Sequence, residues 1–358
     1  MKLRFERRLT LTGRGAAIIS ILAIIVTLAL FSILFILEGV SPIQGYKEIF
    51  SYAFINPNGL SLTINRFIFM LMCTIAFILP FRAGIWNIGM AGQLYIGALG
   101  AFGVAFLLPN LSSGTLIPLM LIAAALFGAG AGAIAGFLKG KWNVNEIVVT
   151  MMLNFVAFWL VSFMIKEGGL FMDPGGRAES FPVPVSGRAP LIWDVPFTIF
   201  LALGIAVLLY FLFAKTKIGY QIKALGYNPA AARYSGIAPF KISLLVMAIG
   251  GAIAGLAAYH YFAAIPGVYK IPRNYSQIGD LSFYGIICGL ISIGNPLAAI
   301  PVALFFGGMT VGGSVAQGKF QMGFGIDYAL LGILMIILIA FQFFYRYKIV
   351  LMKKPKGK

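Results

Sequence analysis

The sequence predicts an all-α integral membrane protein, and three features of it support this class. Hydrophobic residues make up 60% of the 358 residues and charged residues 10%, whereas a soluble domain carries about 25% charged residues. Apolar windows of about 20 residues, the length of a membrane-spanning helix, recur along the whole chain. Basic residues also gather in alternate segments between those windows. A chain of this composition cannot cover its apolar surface in water, so we expect lipid to surround it.

The apolar windows predict about ten transmembrane helices. They lie at residues 16–37, 62–81, 84–108, 116–138, 145–165, 196–214, 240–262, 281–294, 296–315 and 326–345. The first window follows a basic segment and is longer than the core of a typical signal peptide, so we expect it to be retained. The window at 281–294 is too short for a full crossing, which predicts a short or broken helix.

The basic residues indicate how these helices are oriented. With ten spans and a cytoplasmic N-terminus, most of the 27 Lys and Arg residues fall in cytoplasmic segments, and this asymmetry is typical of membrane proteins. Both termini and the loop 215–239 are therefore predicted to be cytoplasmic, and the loop 166–195 to be external. In this context the net charge of +17 indicates orientation and not nucleic-acid binding.

Glycines four residues apart predict close packing between helices. Small residues at this spacing let helix backbones approach each other in lipid. The residues concerned are Gly128, Gly132 and Gly136, then Gly251 and Gly255, then Gly308 and Gly312.

The segment 84–103, "GIWNIGMAGQLYIGALGAFG", combines polar side chains with six glycines. Asn87 and Gln93 are six residues apart, which places them about 120° apart around a straight helix. Either the helix breaks near Gly89–Gly92, or one amide faces a pathway while the other pairs with a neighbour. Polar groups in lipid need partners or water. We expect Trp86, Asn87 and Gln93 to line a substrate pathway, with structural hydrogen bonding as the alternative.

Two further polar residues belong to the window 145–165. Asn154 lies in its middle and is a third amide expected in the pathway, with structural hydrogen bonding again the alternative. Glu146 lies at its cytoplasmic end, where a carboxylate complements a helix N-terminus. We therefore expect Glu146 to act at the helix terminus or in gating.

The sequence has no recognisable catalytic or metal-binding cluster. Cys73 and Cys288 lie inside apolar windows and are expected to be small buried residues. The single histidine, His260, is expected in an aromatic belt at the outer end of a span. The stretch "GSVAQGKF" (313–320) matches seven positions of a P-loop but has Phe320 where Ser or Thr holds magnesium. We therefore expect no enzyme activity, no metal and no cofactor.

The loop 215–239 contains the signals of a short helix. Asn228 can cap its N-terminus and Pro229 suits the first helical position. Gly236 can end it in the left-handed conformation, and Pro239 prevents its continuation. Arg233 and Tyr234 would project from such a helix. It is expected to dock on a cytoplasmic partner, and a loop that only lies on the membrane is the alternative.

Three motifs, in this order and spacing, resemble the permease subunits of bacterial ABC importers. They are "GIWNIGMAGQLYIGA", "VNEIVVTMMLN" (144–154) and "KALGYNPAAARYSGI" (223–237). The resemblance covers about residues 62–345 and is strongest to the branch that carries nucleosides and simple sugars, with branched-chain amino acid permeases more distant. Ala91 stands where the family motif has a glutamate, so no role of that carboxylate transfers to this chain.

The resemblance implies a single transmembrane permease domain, residues 1–358, in the bacterial cytoplasmic (inner) membrane. It implies a second, identical or similar permease, cytoplasmic ATPase subunits that use the ATP, and an extracytoplasmic substrate-binding protein. The motif in the loop 215–239 would contact the ATPase. Its residues are Asn228, Pro229, Arg233, Tyr234 and Gly236. The glycine-rich segment 279–296 suggests that spans 2–5 and 7–10 form two inverted repeats with short or broken helices.

A nucleoside is the expected substrate, because flat bases suit aromatic faces and ribose suits amides. A simple sugar is the alternative. An ion-coupled secondary transporter is a third possibility, and it would need carboxylates within the membrane. Only Glu146 and Asp327 come near that requirement.

Overall fold

The computed structural model describes residues 2–7, 13–166, 168–323 and 325–352. Helices are the dominant secondary structure of these residues. The helices α1 to α13 span Gly13–Leu37, Pro42–Phe54, Pro57–Arg82, Met90–Leu107, Ser113–Trp142, Glu146–Ile165, Thr198–Lys215, Lys217–Tyr227, Pro229–Tyr234, Pro239–Tyr259, Ser276–Ile291, Ala299–Lys319 and Ile326–Arg346. Two antiparallel ladders pair β1 (Lys2–Arg7) with β4 (Tyr347–Met352) and β2 (Leu191–Ile192) with β3 (Val195–Pro196).

Every predicted apolar window overlaps one of these helices, which confirms the all-α membrane class. Among the described residues, seven helices are long and apolar enough to cross a membrane, namely α3 to α7, α10 and α12. An eighth crossing would combine Ile25–Leu37 with α2, although the chain bends by 112° between them. The window 281–294 forms the short helix α11, as expected. The inverted repeats remain a prediction.

The chain forms two compact units, and the single permease domain remains a prediction. One unit contains residues 1–60 and 308–358, and the other contains residues 61–307. In the first unit α1 packs against α13, and α2 turns back so that the Tyr46 ring meets the Phe35 ring edge-on at 5.3 Å between centroids. The Glu48 carboxylate forms an ion pair with Lys319 Nζ at 2.6 Å.

In the second unit α4 is the central helix. It is mostly buried and packs against α5, α6, α10 and α11. The closest helix pair is α5 with α10, where the predicted glycine spacing operates. A Cβ atom added at Gly251 would overlap the carbonyl oxygen of Gly128, and one added at Gly132 would overlap that of Met247. The two backbones can therefore touch because glycine on both helices has no side chain to keep them apart.

His260 is buried within the second unit, and the expectation of an interfacial position is wrong. Its imidazole is fully inaccessible, with Nδ1 2.7 Å from Thr198 Oγ1 and Nε2 3.0 Å from the carbonyl oxygen of Asn65. It begins a π-helical turn, His260–Ala264, that continues α10. Hydrogen bonds to both ring nitrogens make it possible to bury this side chain.

Backbone hydrogen bonds join the segment 168–195 to the segment 263–271. Ser180 N–H donates to the Ile271 carbonyl at 3.0 Å, and Val183 N–H donates to the Tyr269 carbonyl at 2.8 Å. The Glu179 carboxylate pairs with Lys270 Nζ at 2.7 Å. The predicted external loop 166–195 is thus an ordered element, apart from Glu167, which lies outside the described residues.

The P-loop-like stretch 313–320 lies almost entirely within α12, which ends at Lys319. A phosphate-binding loop has to precede a helix, so that its free backbone N–H groups can surround the phosphates. The helical conformation of this stretch engages those groups within the helix. This geometry agrees with the absence of the magnesium-binding hydroxyl at Phe320.

We predict that Gly251→Ala destabilises the second unit, because the added methyl overlaps the Gly128 carbonyl. Overpacking of this kind costs about 1–3 kcal/mol in free energy of unfolding. The control is Gly130→Ala on α5, where no atom lies within 4 Å of an added Cβ. Thermal unfolding of the full chain in one detergent should show a lower Tm for Gly251→Ala than for Gly130→Ala. Equal Tm values would contradict the packing described for α5 and α10.

Candidate functional site

The connection from α3 to α4 carries the polar residues that stand out in the sequence. α4 begins at Met90 and not at residue 84, so Asn87 lies on an extended segment before the helix. This break near Gly89 is the first of the two predicted alternatives. It allows the Asn87 and Gln93 side chains to bond to each other, with Asn87 Nδ2 donating to Gln93 Oε1 and Gln93 Nε2 donating to Asn87 Oδ1, both at 2.9 Å. Both amides are buried and satisfied by this pair.

Asn154 on α6 bonds to the backbone on both sides of this break. Its Oδ1 accepts a hydrogen bond from the backbone N–H of Gly92 at 2.7 Å, and its Nδ2 donates to the Ile88 carbonyl at 3.1 Å. Backbone groups at the first turn of a helix have no partner inside the helix. The Asn154 amide supplies one, and it ties α6 to the start of α4.

Glu146 fixes the extended segment one residue before Asn87. It is the first residue of α6, and its Oε1 accepts from the backbone N–H of Trp86 at 3.3 Å. Its Oε2 forms an ion pair with Lys139 Nζ at 2.9 Å. The Trp86 ring meets the ring of Phe77 at a centroid distance of 5.8 Å. Glu146 thus has the helix-terminal position that its place in the sequence suggests.

A cavity of about 360 Å³ lies between α4, α6 and α11. Five aromatic side chains contribute to its wall, and most of them are accessible. They are Tyr95, Phe155, Phe158, Trp159 and Phe283. The lining residues from α6 fall between Met151 and Trp159, near the middle of that helix. This is the depth at which transporters hold their substrates.

Hydrogen bonds between the three helices keep the aromatic wall in place. The Tyr95 hydroxyl on α4 donates to the Tyr275 carbonyl at 3.2 Å, and the Tyr275 hydroxyl donates to the Phe158 carbonyl on α6 at 2.8 Å. A Cβ atom at Gly279 would overlap the Tyr95 hydroxyl. The glycine at 279 is therefore required for Tyr95 to occupy its position.

Asp280 is the residue that the sequence reasoning missed. Its carboxylate is exposed and lines this cavity, with Ser276 one turn before it. Within the described part of the chain, no hydrogen bond or ion pair engages that carboxylate. Ala91, which stands where the family motif has a glutamate, lines the same cavity. Asp280 is therefore the only acidic residue in the lining. The available signal was an acidic residue directly before the short, glycine-rich window 281–294.

Two neighbouring cavities are less suited to a polar substrate. They have volumes of about 340 and 510 Å³ and lie among α4, α5 and α6. Gln93 and Thr150 are the polar residues in the lining of the first, and the second is lined by apolar residues throughout. Such surfaces are more suitable for acyl chains than for hydroxyl or amide groups.

The structure places one of the four expected pathway residues, Asn154, in the wall of the aromatic cavity. Asn87 and Gln93 bond to each other outside its lining, and Trp86 packs against α3. A pathway role for these residues remains a prediction. The side chain of Asp327 is not among those that the structure describes.

The segment 215–239 contains the expected short helix and one that was not expected. In α9, Asn228 Oδ1 accepts from the backbone N–H groups of Ala230 and Ala231, both at 3.1 Å, and Gly236 has a φ of 78°. Tyr234 is 95% exposed, and Arg233 is exposed beside it. The preceding helix, α8, was missed because its alternating polar and apolar residues lie outside the apolar windows.

α8 packs directly on the turn that leads into the polar segment. A Cβ atom at Gly226 would overlap the Arg82 carbonyl oxygen, and one at Gly84 would lie 3.3 Å from the Gly226 Cα. The two backbones are therefore in contact. A movement of α8 would reach the extended segment 85–88 through this turn without an intervening side chain.

Three relatives support a transport role. The glucose ABC transporter permease protein TsgB13 of Haloferax volcanii is 29% identical over 365 aligned positions, which cover 98% of this chain and 94% of the relative. The nucleoside ABC transporter permease protein NupB of Lactococcus lactis is 27% identical over 82% of this chain and 83% of its own. The guanosine ABC transporter permease protein NupP of Bacillus subtilis is 28% identical over 82% and 85%.

A family model described as "Branched-chain amino acid transport system / permease component" matches residues 59–339. The match includes the aromatic cavity, the polar segment between α3 and α4, and the segment 215–239. Proteins of this kind are components of transport systems rather than enzymes. The chain is a multi-pass membrane protein and belongs to this family of permeases.

Proposed function

We propose that this chain is a permease subunit of an ATP-driven importer and forms part of the pathway for a nucleoside. The observation that carries the proposal is the cavity between α4, α6 and α11, which combines aromatic walls with one unengaged carboxylate. The names of NupB and NupP, a nucleoside and a guanosine permease, support the same substrate class.

The cavity offers two kinds of contact that a nucleoside needs. The rings of Phe155 and Trp159 are largely exposed and present flat faces against which a base can stack. Asp280 can accept hydrogen bonds from ribose hydroxyls, and bonds to a charged acceptor are stronger than those to neutral groups. Asn154 already uses one donor and one acceptor on the backbone of α4, so its contribution to substrate contact is the smaller.

A simple sugar is the second candidate substrate. It is favoured by the glucose permease TsgB13, whose similarity extends over nearly the whole chain. A carboxylate beside aromatic rings also suits a pyranose, because the hydroxyl groups bind the carboxylate and the apolar ring face covers an aromatic side chain. A nucleoside differs from a simple sugar in carrying a flat base, which can stack on the aromatic wall.

The proposed importer needs partners on both sides of the bacterial cytoplasmic membrane. A second permease, identical or similar, would face the exposed aromatic side of α6, which includes Phe155, Trp159 and Phe163. A substrate-binding protein would dock from outside on residues 168–189, the part of this segment that backbone bonds to residues 263–271 hold in place. Both termini and the segment 215–239 would be cytoplasmic, as the basic residues indicate.

ATP would be bound and hydrolysed by separate ATPase subunits docked on α9. The exposed Arg233 and Tyr234 provide the contact, and the capping residues Asn228, Pro229 and Gly236 hold the helix in shape. Movement of α9 and α8 would then reach the turn at Gly84 and the base of α4. Glu146 would hold this region closed through Trp86, which gives it the expected gating role.

For substrate binding, we predict that Asp280→Asn slows nucleoside uptake by the assembled complex roughly 10- to 150-fold. This is the effect of losing hydrogen bonds to a charged group. Asp194→Asn is the matched control, because Asp194 is exposed in a turn with a φ of 61°, a conformation that asparagine also accepts. Initial rates of labelled guanosine uptake, per complex recovered from proteoliposomes, provide the measurement.

Uptake by Asp280→Asn equal to that of the Asp194→Asn control would remove this cavity from the pathway. Uptake of glucose but not of guanosine by the unaltered complex would establish the sugar permease instead. In that case Asp280→Asn should reduce glucose uptake by a similar factor.

For coupling, we predict that two substitutions separate docking from transmission. Arg233→Glu reverses a charge on the exposed face of α9 and should reduce copurification of the ATPase with the permease. Gly226→Ala places a methyl against the Arg82 carbonyl, so the ATPase should remain bound while uptake per ATP hydrolysed falls several-fold. Gly204→Ala on α7, with no atom within 4 Å of the added Cβ, is the control.

Normal copurification with Arg233→Glu would place the docking contact elsewhere. An unchanged ratio of uptake to ATP hydrolysis with Gly226→Ala would show that movement does not pass through this turn.

A further inference from the structure

A small basic pocket lies where the end of α7 meets α8 and the end of α3. Its volume is about 170 Å³, and its walls include Arg82, Lys223, Tyr210, Phe213 and Asn295. None of the residues that line it is acidic. The pocket is separate from the aromatic cavity, and its interpretation does not depend on the transported substrate.

Arg82 is held in a fixed direction at this pocket. Its Nε donates to the Gly294 carbonyl at 2.7 Å, and its guanidinium carbon lies 5.7 Å from the centroid of the Phe213 ring. No carboxylate in the described residues pairs with this guanidinium. Lys223 faces the same pocket, is half-buried, and likewise has no acidic partner within the described structure.

The surrounding sequence explains why these cations have no counter-ion. No Asp or Glu occurs between Asp194 and Asp280, although this stretch contains seven Lys and Arg residues. Two half-buried cations that share one pocket repel each other and have lost part of their hydration. An anionic ligand would offset both effects, and phosphate is the anion for which guanidinium geometry is suited.

The position of the pocket favours a lipid over a soluble anion. It lies at the end of α7, whose Phe200, Leu208 and Phe211 are largely exposed along one side of the helix. These side chains form an apolar surface on the same helix that contributes Tyr210 and Phe213 to the pocket, and tyrosine is common at membrane interfaces. We propose that Arg82 and Lys223 bind the phosphate of an anionic phospholipid whose acyl chains lie along α7.

The test measures binding of dioleoylphosphatidylglycerol to the purified full chain in detergent, with dioleoylphosphatidylcholine as the neutral comparison. Native mass spectrometry counts the retained lipid as its concentration is varied. Lys223→Gln should weaken retention of the anionic lipid about fivefold, the effect of one basic residue at a membrane surface. Lys223→Arg should retain it. Lys217→Gln, which removes a charge from the exposed start of the same helix, should change it little.

Equal loss in Lys223→Gln and Lys217→Gln would reduce the effect to general surface charge and overturn the proposal. Equal retention of the two lipids by the unaltered chain would also overturn it. Inorganic phosphate or deacylated glycerophosphoglycerol should not displace the lipid at millimolar concentration, and displacement would show that the site takes a soluble anion. If Lys223→Gln releases the ATPase but keeps the lipid, the pocket is a protein contact and the proposal is wrong.

Discussion

Polar groups buried in a membrane protein must find their partners inside the protein, and this constraint organises the structure around the start of α4. The helical conformation is interrupted between α3 and α4. Backbone polar groups there lack the partners that a continuous helix would supply, and the polar side chains also need partners. Asn87 and Gln93 satisfy each other, Asn154 satisfies the open backbone of the first turn, and Glu146 holds the extended segment. The position of α4, and with it one wall of the aromatic cavity, depends on these bonds.

Close backbone contacts connect this polar centre to the segment 215–239. α9 follows α8 directly, Gly226 of α8 lies on the Arg82 carbonyl, and the turn at Gly84 leads into the residues that the amides hold. No flexible side chain intervenes at the contact between Gly226 and this turn. A chain of packed backbones is stiff, so a displacement of α8 would be passed on to the base of α4. α4 also packs against α5 and α10, whose glycine contacts with each other give it a rigid support.

The sequence was sufficient for those parts of the fold that local patterns determine. Apolar windows located the long helices, and the caps at Asn228, Pro229 and Gly236 defined α9 nearly to the residue, because these signals act over a few positions. The break before α4 was one of two alternatives. A spacing of six residues excludes only that both amides face the same point on a straight helix, and it does not select a partner for either amide. That Asn87 pairs with Gln93, and Asn154 with the backbone of α4, depends on tertiary contacts that no local pattern specifies.

The error at His260 and the omission of Asp280 have the same origin. His260 was assigned to the interface from its tyrosine neighbours, whereas Thr198 and Asn65, distant in sequence, bury it. Asp280 was not among the expected pathway residues because it lies directly before an apolar window, whereas α11 places it in the lining of the cavity with Tyr95 and Trp159. In both cases the helices packed around a residue decide its environment, and hydropathy does not report that packing.

Asn87 and Gln93 act as a bonded pair that fixes the start of α4. A double-mutant cycle tests this pairing, with Asn87→Leu, Gln93→Met and the double variant compared by unfolding of the full chain in one detergent. Each single change should cost about 1–3 kcal/mol, because it leaves the other amide buried without a partner. The double variant should cost less than the sum of the two, by about 0.5–3 kcal/mol. Strictly additive losses in the free energy of unfolding would contradict the pairing and its role in positioning α4.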